Sequence, residues 1–286
     1  MSVGSAVLPQ EQPEVMATAP VQRSQGDLAL RLVSAAILIP FGLFVVWRGG
    51  AWLGVGCVLF ALAMAYEWVR MSASPLMKSF LPLAILPVLL AVLIGPLIGL
   101  GALIMCAVLA GGLHPLARER MASSFGLAYV SGMPMALYLL REGQWDGAAA
   151  ALIVMAMVWG SDSAAYFSGR GFGGPPLTPE SPSKTWSGAV GAVIFTTLCG
   201  ALAARITGGS LPVWLIVGFL ISVFAQMGDL VESRIKRRYG VKDASGLIPG
   251  HGGVMDRVDG LGIVCVVTVI MLYLLPFLAR YLGLDG

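Results

Sequence analysis

The chain has 286 residues and a formal net charge of +3, with 57% hydrophobic and only 12% charged residues. A soluble domain of this size needs about a quarter of its residues charged to cover its surface, so the composition excludes a soluble protein. The small net charge gives no indication of nucleic-acid binding. Four cysteines stand singly in apolar stretches and form no CxxC pair, which favours small core residues over a disulfide framework.

The first 27 residues differ from everything that follows. Residues 1–27 are polar and rich in Pro, Gln and Ala, which predicts a disordered tail. They lack the basic start, short apolar core and cleavage site of a signal peptide. We therefore expect the first apolar run to be retained as a membrane span.

Apolar runs of membrane-spanning length fill most of the remaining sequence. A bilayer core about 30 Å thick needs roughly 20 apolar residues in a helix. The chain is therefore predicted to be all-α, a polytopic integral membrane protein with about nine transmembrane helices, eight or ten being the alternatives. The predicted spans are 28–47, 51–69, 79–95, 97–113, 122–140, 147–168, 187–205, 211–230 and 260–281.

The positions of Lys and Arg predict which loops share a membrane face. Most of these residues lie in the loops after even-numbered spans, whereas the loops after odd-numbered spans hold Arg48, Arg141 and Arg205. Cytoplasmic loops carry an excess of Lys and Arg, so we expect the even-numbered loops to be cytoplasmic. Arg23 and Arg31 flank the first span and argue mildly for the opposite orientation.

Two polar clusters, 159–188 and 228–259, interrupt the apolar sequence beside predicted cytoplasmic loops. Asp162 lies inside an apolar helix, where a carboxylate costs a few kcal/mol, so it should face a partner or a cavity. Asp229 likewise places a carboxylate in an apolar helix, at the end of the eighth predicted span. Two further carboxylates, Asp256 and Asp259, stand three residues apart before the last span, and a helix starting there would direct both to one side.

The residue types in these clusters suit phosphate chemistry. Mg²⁺ usually binds one or two carboxylates together with substrate phosphates. Neighbouring cations would bind those phosphates, and they are Lys184, Arg237, Arg238, Lys242 and Arg257. The glycines around His251 permit close approach of the backbone to a ligand. Together these groups are typical of phosphoryl or nucleotidyl transfer, in which the protein mainly positions groups and neutralises charge.

Each feature also has a simpler interpretation. The basic residues of 234–242 could be a topology determinant that contacts anionic headgroups. His251 alone could be an ordinary loop residue, and Asp256 and Asp259 could cap a helix or pair with Arg257. Asp162 is the hardest to explain structurally, because the bilayer penalises it.

The run from Ser233 to Asp259 closely resembles the pattern of CDP-diacylglycerol synthases (phosphatidate cytidylyltransferases). That pattern is Ser-x-x-Lys-Arg, four residues, Lys-Asp, then Pro-x-His-Gly-Gly, then Asp-Arg-x-Asp. The segments 161–170 and 181–186 also look like this family. So many fixed residues make a chance match very improbable. The resemblance covers roughly residues 150–286, and the N-terminal half matches only as an array of hydrophobic helices.

The chain departs from the family in one segment. Members often carry Lys and Glu where this chain has Ser183 and Ser187. We therefore rely on Lys184 in that segment and treat Ser187 as non-catalytic.

The resemblance implies an enzyme of phospholipid biosynthesis. Its substrates would be CTP and phosphatidate, its products CDP-diacylglycerol and pyrophosphate, and its cofactor Mg²⁺, with room for a second cation. It also implies a bacterial inner (plasma) membrane, an active site facing the cytoplasm and no nucleic-acid partner. The tail would then be followed by N-terminal transmembrane helices, 28–145, and by a catalytic transmembrane region with cytoplasmic loops, 146–286.

The resemblance also implies roles for individual residues. The metal centre would consist of Asp229, Asp256 and Asp259. The catalytic set would comprise Asp229, Lys242, Asp256, Asp259 and His251, the last orienting a phosphate. The substrate-binding set would comprise Asp162, Lys184, Lys236, Arg237, Asp243 and Arg257. The ionised phosphate of phosphatidate would attack the α-phosphate of CTP in line, with little need for a general base.

Other functions stay open at this point. A CTP-dependent lipid-alcohol kinase would transfer the γ-phosphate instead, although the Pro-Gly-His-Gly-Gly to Asp-Arg-Val-Asp run argues against it. An ion-coupled transporter using Asp162 and Asp229 would show polar residues through the midplane of several spans and repeat symmetry. The ionisable residues gather at one face instead. Gly-rich helix surfaces are compatible with a homodimer and equally with packing inside one chain.

Overall fold

The computed structural model describes residues 25–179, 181–248 and 252–285, and most of them are helical. The helices are α1 Gln25–Arg48, α2 Gly50–Met71, α3 Met77–Leu93, α4 Pro96–Leu113, α5 Arg120–Glu142, α6 Gly147–Phe172, α7 Trp186–Thr207, α8 Leu211–Arg238, α9 Asp259–Leu274 and α10 Phe277–Tyr281. One antiparallel hairpin, β1 Pro176–Thr178 and β2 Ser181–Thr185, joins α6 to α7. The predicted all-α membrane fold is confirmed.

The described helices fall where the sequence places spans. Six of them are long and apolar enough to cross a membrane by length and composition. Three shorter apolar helices, Ala36–Arg48, Met77–Leu93 and Asp259–Leu274, coincide with the first, third and last predicted spans. The number of spans therefore stays a prediction. Of the predicted tail, residues 1–24 lie outside the described residues, and α1 already begins at Gln25.

Two helices differ in extent from the predicted spans. The eighth span was predicted near 211–230, and α8 continues beyond it to Arg238. Its 28 residues give a length of about 42 Å, so it reaches beyond a bilayer core. The last span was expected to run to residue 281, but α9 ends at Leu274 and α10 begins after Pro276. Proline lacks an N–H and disfavours helix at the preceding residue, which accounts for the break.

Helix α5 forms the centre of the bundle. In its most apolar 18-residue stretch, 67% is buried inside the protein, compared with 22% for the corresponding stretch of α4 and 28% for that of α7. It packs against α2, α3, α4, α6 and α9. The outer helices expose large apolar side chains such as Leu97 and Leu198. Such a surface suits lipid rather than water.

The loops after even-numbered helices meet at one end of the bundle. Arg238, at the end of α8, lies 3.4 Å from Glu119 between α4 and α5. Ser245, after α8, donates a 2.6 Å hydrogen bond to Glu67 near the end of α2. Lys184 of the hairpin contacts α8 as well. We call this end the polar end. The predicted grouping of these loops on one face is confirmed.

Candidate active site

The polar end is organised around the crossing of α8 and α9. A Cβ added to Gly228 would lie 2.5 Å from the carbonyl oxygen of Asp259, and one added to Gly260 would lie 3.1 Å from Oδ1 of Asp229. Only glycine allows two helix backbones to approach this closely. The crossing therefore places Asp229 of α8 beside Asp259, the first residue of α9.

The hairpin between α6 and α7 adds a cation to this pair of carboxylates. Nζ of Lys184 donates a hydrogen bond to Oδ2 of Asp229 at 2.6 Å. The two side chains are 30% and 20% exposed, so the pair can be reached from outside the protein. The next residue, Thr185, caps α7 by accepting a hydrogen bond from the amide of Gly188, which fixes the end of the hairpin. Asp162 lies on the exposed surface of α6, close enough to Lys184 and Asp259 for electrostatic interaction.

A second ion-pair group lies deeper, one turn further along α8. Nζ of Lys236 lies 3.1 Å from Oε1 of Glu232 and 2.7 Å from Oδ1 of Asp256. The Glu232 side chain is fully buried, and those of Lys236 and Asp256 are 13% and 6% exposed. Removing one member of a buried group of this kind leaves an uncompensated charge, so each of the three side chains depends on the others. This unit ties α8 to the segment before α9.

Asp256 also holds the loop between α8 and α9 through its backbone. Its Oδ2 accepts hydrogen bonds from the amides of Gly253 at 2.8 Å and Ala244 at 3.1 Å. Burial raises the pKa of the Asp256 carboxyl, but hydrogen bonds from Lys236 and the Gly253 amide outweigh it and bring the pKa below its usual value. Gly252 has a φ of +87°, a conformation that favours glycine. Asp256 thus stays ionised while it orders the loop.

The structure adds one residue that the sequence argument missed. Glu67 of α2 is fully buried and accepts hydrogen bonds from the hydroxyl of Ser245 and from the amides of Val254 and Met255, at 2.6, 2.7 and 2.8 Å. The sequence did carry a signal, because an acidic residue inside predicted span 51–69 is as costly in a bilayer as Asp162. The resemblance, confined to the second half of the chain, drew no attention to it.

Several predicted residues lie at the rim of the polar end. Arg237 donates to the carbonyl oxygen of Val241 at 2.9 Å, in the loop that follows α8. Lys242, Asp243 and Arg257 are exposed on the loop. The prediction for His251 falls outside the described residues. The structure thus brings together Asp162, Lys184, Asp229 and Asp259, and separately Lys236 and Asp256, while the remaining cations stay at the rim.

The α8–α9 crossing offers oxygen ligands of the kind that Mg²⁺ prefers. In residues 25–179, 181–248 and 252–285, however, no group of three or more His, Cys, Asp or Glu side chains could hold a metal ion unaided. Asp229 and Asp259 therefore fit Mg²⁺ together with substrate phosphates, which is its common mode of binding. To bind the ion, Asp256 would have to give up one of the hydrogen bonds that it accepts within the protein. The three-carboxylate centre stays a prediction.

An apolar groove runs along the side of α8 and α9 and reaches α10. Its walls include Val217, Phe224, Val267 and Met271. Such a lining suits hydrocarbon chains. The same two helices therefore carry charged groups at the polar end and an apolar surface along the groove.

Comparison with known proteins gives a consistent result. A model described as the cytidylyltransferase family matches residues 29–275. A phosphatidate cytidylyltransferase of Brucella suis is 37% identical over 259 residues, which cover 87% of this chain and 93% of that protein. Proteins with the same name from Haemophilus influenzae and Mycobacterium leprae are 39% and 42% identical over 52% and 46% of this chain, and over 54% and 43% of their own lengths. The chain belongs to the cytidylyltransferase family.

Proposed function

We propose that this chain transfers a cytidylyl group from CTP to phosphatidate, which gives CDP-diacylglycerol and pyrophosphate. The observation that carries the proposal is the polar end of α8 and α9, where accessible carboxylates and a lysine meet, together with the apolar groove further along the same two helices. A lipid phosphate and a nucleotide triphosphate need this combination of charge and apolar surface. Relatives named phosphatidate cytidylyltransferase, one aligned over 87% of this chain, support the same activity.

The reaction requires positioning more than proton transfer. An oxygen of the phosphatidate phosphate attacks the α-phosphorus of CTP and forms a new P–O bond. The bond between the α-phosphorus and the bridging oxygen breaks, and pyrophosphate leaves with the electron pair. Because the attacking phosphate is already ionised, no general base is needed, and catalysis consists of alignment and charge neutralisation.

Lys184 is suited to the neutralising role. It is held by Asp229 at 2.6 Å and is 30% exposed, so its ammonium is fixed and can still reach a phosphate. Arg237, Lys242 and Arg257 lie at the rim, where they would attract the triphosphate. Asp162 and Asp243 would contact the nucleotide or support these groups.

The carboxylates are proposed to bind Mg²⁺. Asp229 and Asp259 would hold the ion with the phosphates of CTP, and Asp256 would be a ligand or would support the other two. When bound, the ion supplies positive charge to the phosphate oxygens as charge builds up. Lys236 lies 2.7 Å from Asp256 and would hold that carboxylate in place rather than bind substrate directly.

The groove along α8 and α9 is proposed to hold an acyl chain of the lipid. The phosphate of phosphatidate would then lie at the membrane surface, at the polar end. The excess of Lys and Arg at this end argues for a cytoplasmic orientation in a bacterial inner membrane.

The activity is tested with purified protein in detergent, phosphatidate, Mg²⁺ and CTP labelled at the α- or γ-phosphate. We expect α-label in CDP-diacylglycerol, γ-label in pyrophosphate, and loss of both products with EDTA. A parallel assay replaces phosphatidate with a lipid alcohol, and transfer of γ-label to that alcohol, with no CDP-diacylglycerol from phosphatidate, would establish a kinase and contradict the proposal. Turnover unaffected by EDTA would contradict the metal assignment alone.

A further inference from the structure

A carboxylate of the N-terminal half holds the loop that precedes α9. Both oxygens of Glu67 accept hydrogen bonds from this loop: Oε1 from the Ser245 hydroxyl and the Val254 amide, and Oε2 from the Met255 amide. All three distances lie between 2.6 and 2.8 Å. Glu67 itself is fully buried.

A buried carboxylate in this position is expensive in free energy. A charge removed from water costs several kcal/mol unless hydrogen bonds replace its hydration. Glu67 lies among Met64, Ala65 and Trp68 on an apolar helix, where an apolar side chain would pack at lower cost. Its three donors all come from the loop, so the benefit that offsets the cost is the conformation of the loop.

Glu67 and Asp256 hold the same turn from two sides. A Cβ added to Gly253 would lie 2.9 Å from Oε1 of Glu67 and 3.0 Å from Oδ2 of Asp256. Asp256 binds the Gly253 amide, and Glu67 binds the next two amides along the chain. Asp259 follows three residues after Asp256, at the start of α9.

We infer that Glu67 is a positioning residue for cytidylyl transfer. It fixes residues 253–255 against α2, and this sets where Asp256 and Asp259 stand relative to α8. The N-terminal helices thereby take part in the active site without contacting substrate. The inference rests on the proposed function for its activity readout, whereas its structural readout, hydrogen exchange, does not depend on that function.

The test compares Glu67→Gln with Glu142→Gln. Glutamine keeps the size of the side chain but turns one acceptor into a donor, so an amide group of the loop meets another donor. Glu142 is an exposed control at the other end of the bundle, where its Oε1 accepts a 2.8 Å bond from the Gly50 amide. We expect kcat to fall about 10- to 100-fold in Glu67→Gln, with the KM for phosphatidate nearly unchanged, and to stay at the wild-type level in Glu142→Gln.

Hydrogen exchange separates positioning from a general loss of stability. In Glu67→Gln, exchange should accelerate in residues 252–256 while α5 and α9 stay protected. Wild-type kcat, or unchanged exchange in this segment, would overturn the inference. If Glu67→Gln does not fold, the wild-type protein still decides: the Val254 and Met255 amides must exchange far more slowly than those of exposed Lys242 and Asp243. Equal rates would overturn the inference, whereas failure of the proposed function would show as absent turnover in the wild type.

Discussion

The two ends of the helical bundle close their loops in different ways. At the polar end, buried charges meet: Lys236 contacts Glu232 and Asp256, and Glu67 binds loop amides. At the opposite end, contacts to backbone groups dominate. There Arg141 donates to the carbonyl oxygen of Val46 at 2.8 Å. Direct backbone bonds join Asp146 to Leu284 and Ser210 to Tyr281, each at 2.6 Å.

This difference shows where the protein bears the free-energy cost of burying charged side chains. Direct backbone bonds, such as those of Asp146 and Ser210 at the opposite end, close a loop without burying a charge. Buried ion pairs often stabilise no more than apolar residues of equal volume. Their concentration at one end therefore indicates function, and it coincides with the run that resembles the synthases.

The largest expected effect comes from Asp229→Asn. The substitution keeps the shape but removes the charge that holds Lys184 at 2.6 Å and that would bind Mg²⁺. We expect kcat to fall about 10³-fold or more, measured as CDP-diacylglycerol formed per minute. Activity within about threefold of wild type would remove Asp229 from the site.

Next in size is the effect of Lys236→Met on stability. It leaves Glu232 and Asp256 buried without their shared cation, so unfolding should become easier by about 3–5 kcal/mol. Arg141→Met at the opposite end removes hydrogen bonds to backbone carbonyls and should cost about 1–2 kcal/mol. Denaturant unfolding in detergent measures both variants. Equal losses would mean that the two ends do not differ in this respect.

The helix crossing is tested by Gly228→Ala. The added Cβ would lie 2.5 Å from the carbonyl oxygen of Asp259, so α8 and α9 must separate and the carboxylates must shift. We expect a loss of about 100-fold in kcat. Gly101→Ala on α4 is the matched control, because no atom lies within 4 Å of its added Cβ. A similar loss in both variants would point to a general effect of alanine at glycine.

The smallest effect is expected at the surface of the polar end. Arg238 and Glu119 lie 3.4 Å apart, with side chains 55% and 25% exposed. Exposed pairs contribute about 0–1 kcal/mol and are screened by salt. Glu119→Gln should therefore change unfolding by less than about 1 kcal/mol and leave turnover intact. A larger loss would show that this pair belongs with the buried charges.

Much of the fold could be predicted because lipid imposes simple rules. Apolar length located the helices, and Gly95 with Pro96 marked the break between α3 and α4, where Gly95 has a φ of +138°. A count of apolar residues locates the end of a span but not the end of its helix. Helix α8 continues past Asp229 to Arg238, and Glu232 and Lys236 pair one turn apart in this extension.

The sequence predicted which residues make up the candidate site but not how they contact one another. The run 229–259 identified Asp229, Asp256 and Asp259, yet spacing could not show that Asp256 binds inward to loop amides. Glu67 was missed because its partners lie 178 to 188 residues away along the chain. Long-range contacts of this kind depend on helix packing, which no local pattern contains.

The most direct test of the account is where the nucleotide binds. Hydrogen exchange of the wild-type protein in detergent, with and without CTP and Mg²⁺, reports this for both ends at once. The account predicts slower exchange in residues 181–185 and 229–259 and no change in 47–50, 141–147 and 205–211. Protection confined to the opposite end, or absent from 229–259 at saturating CTP, would contradict it.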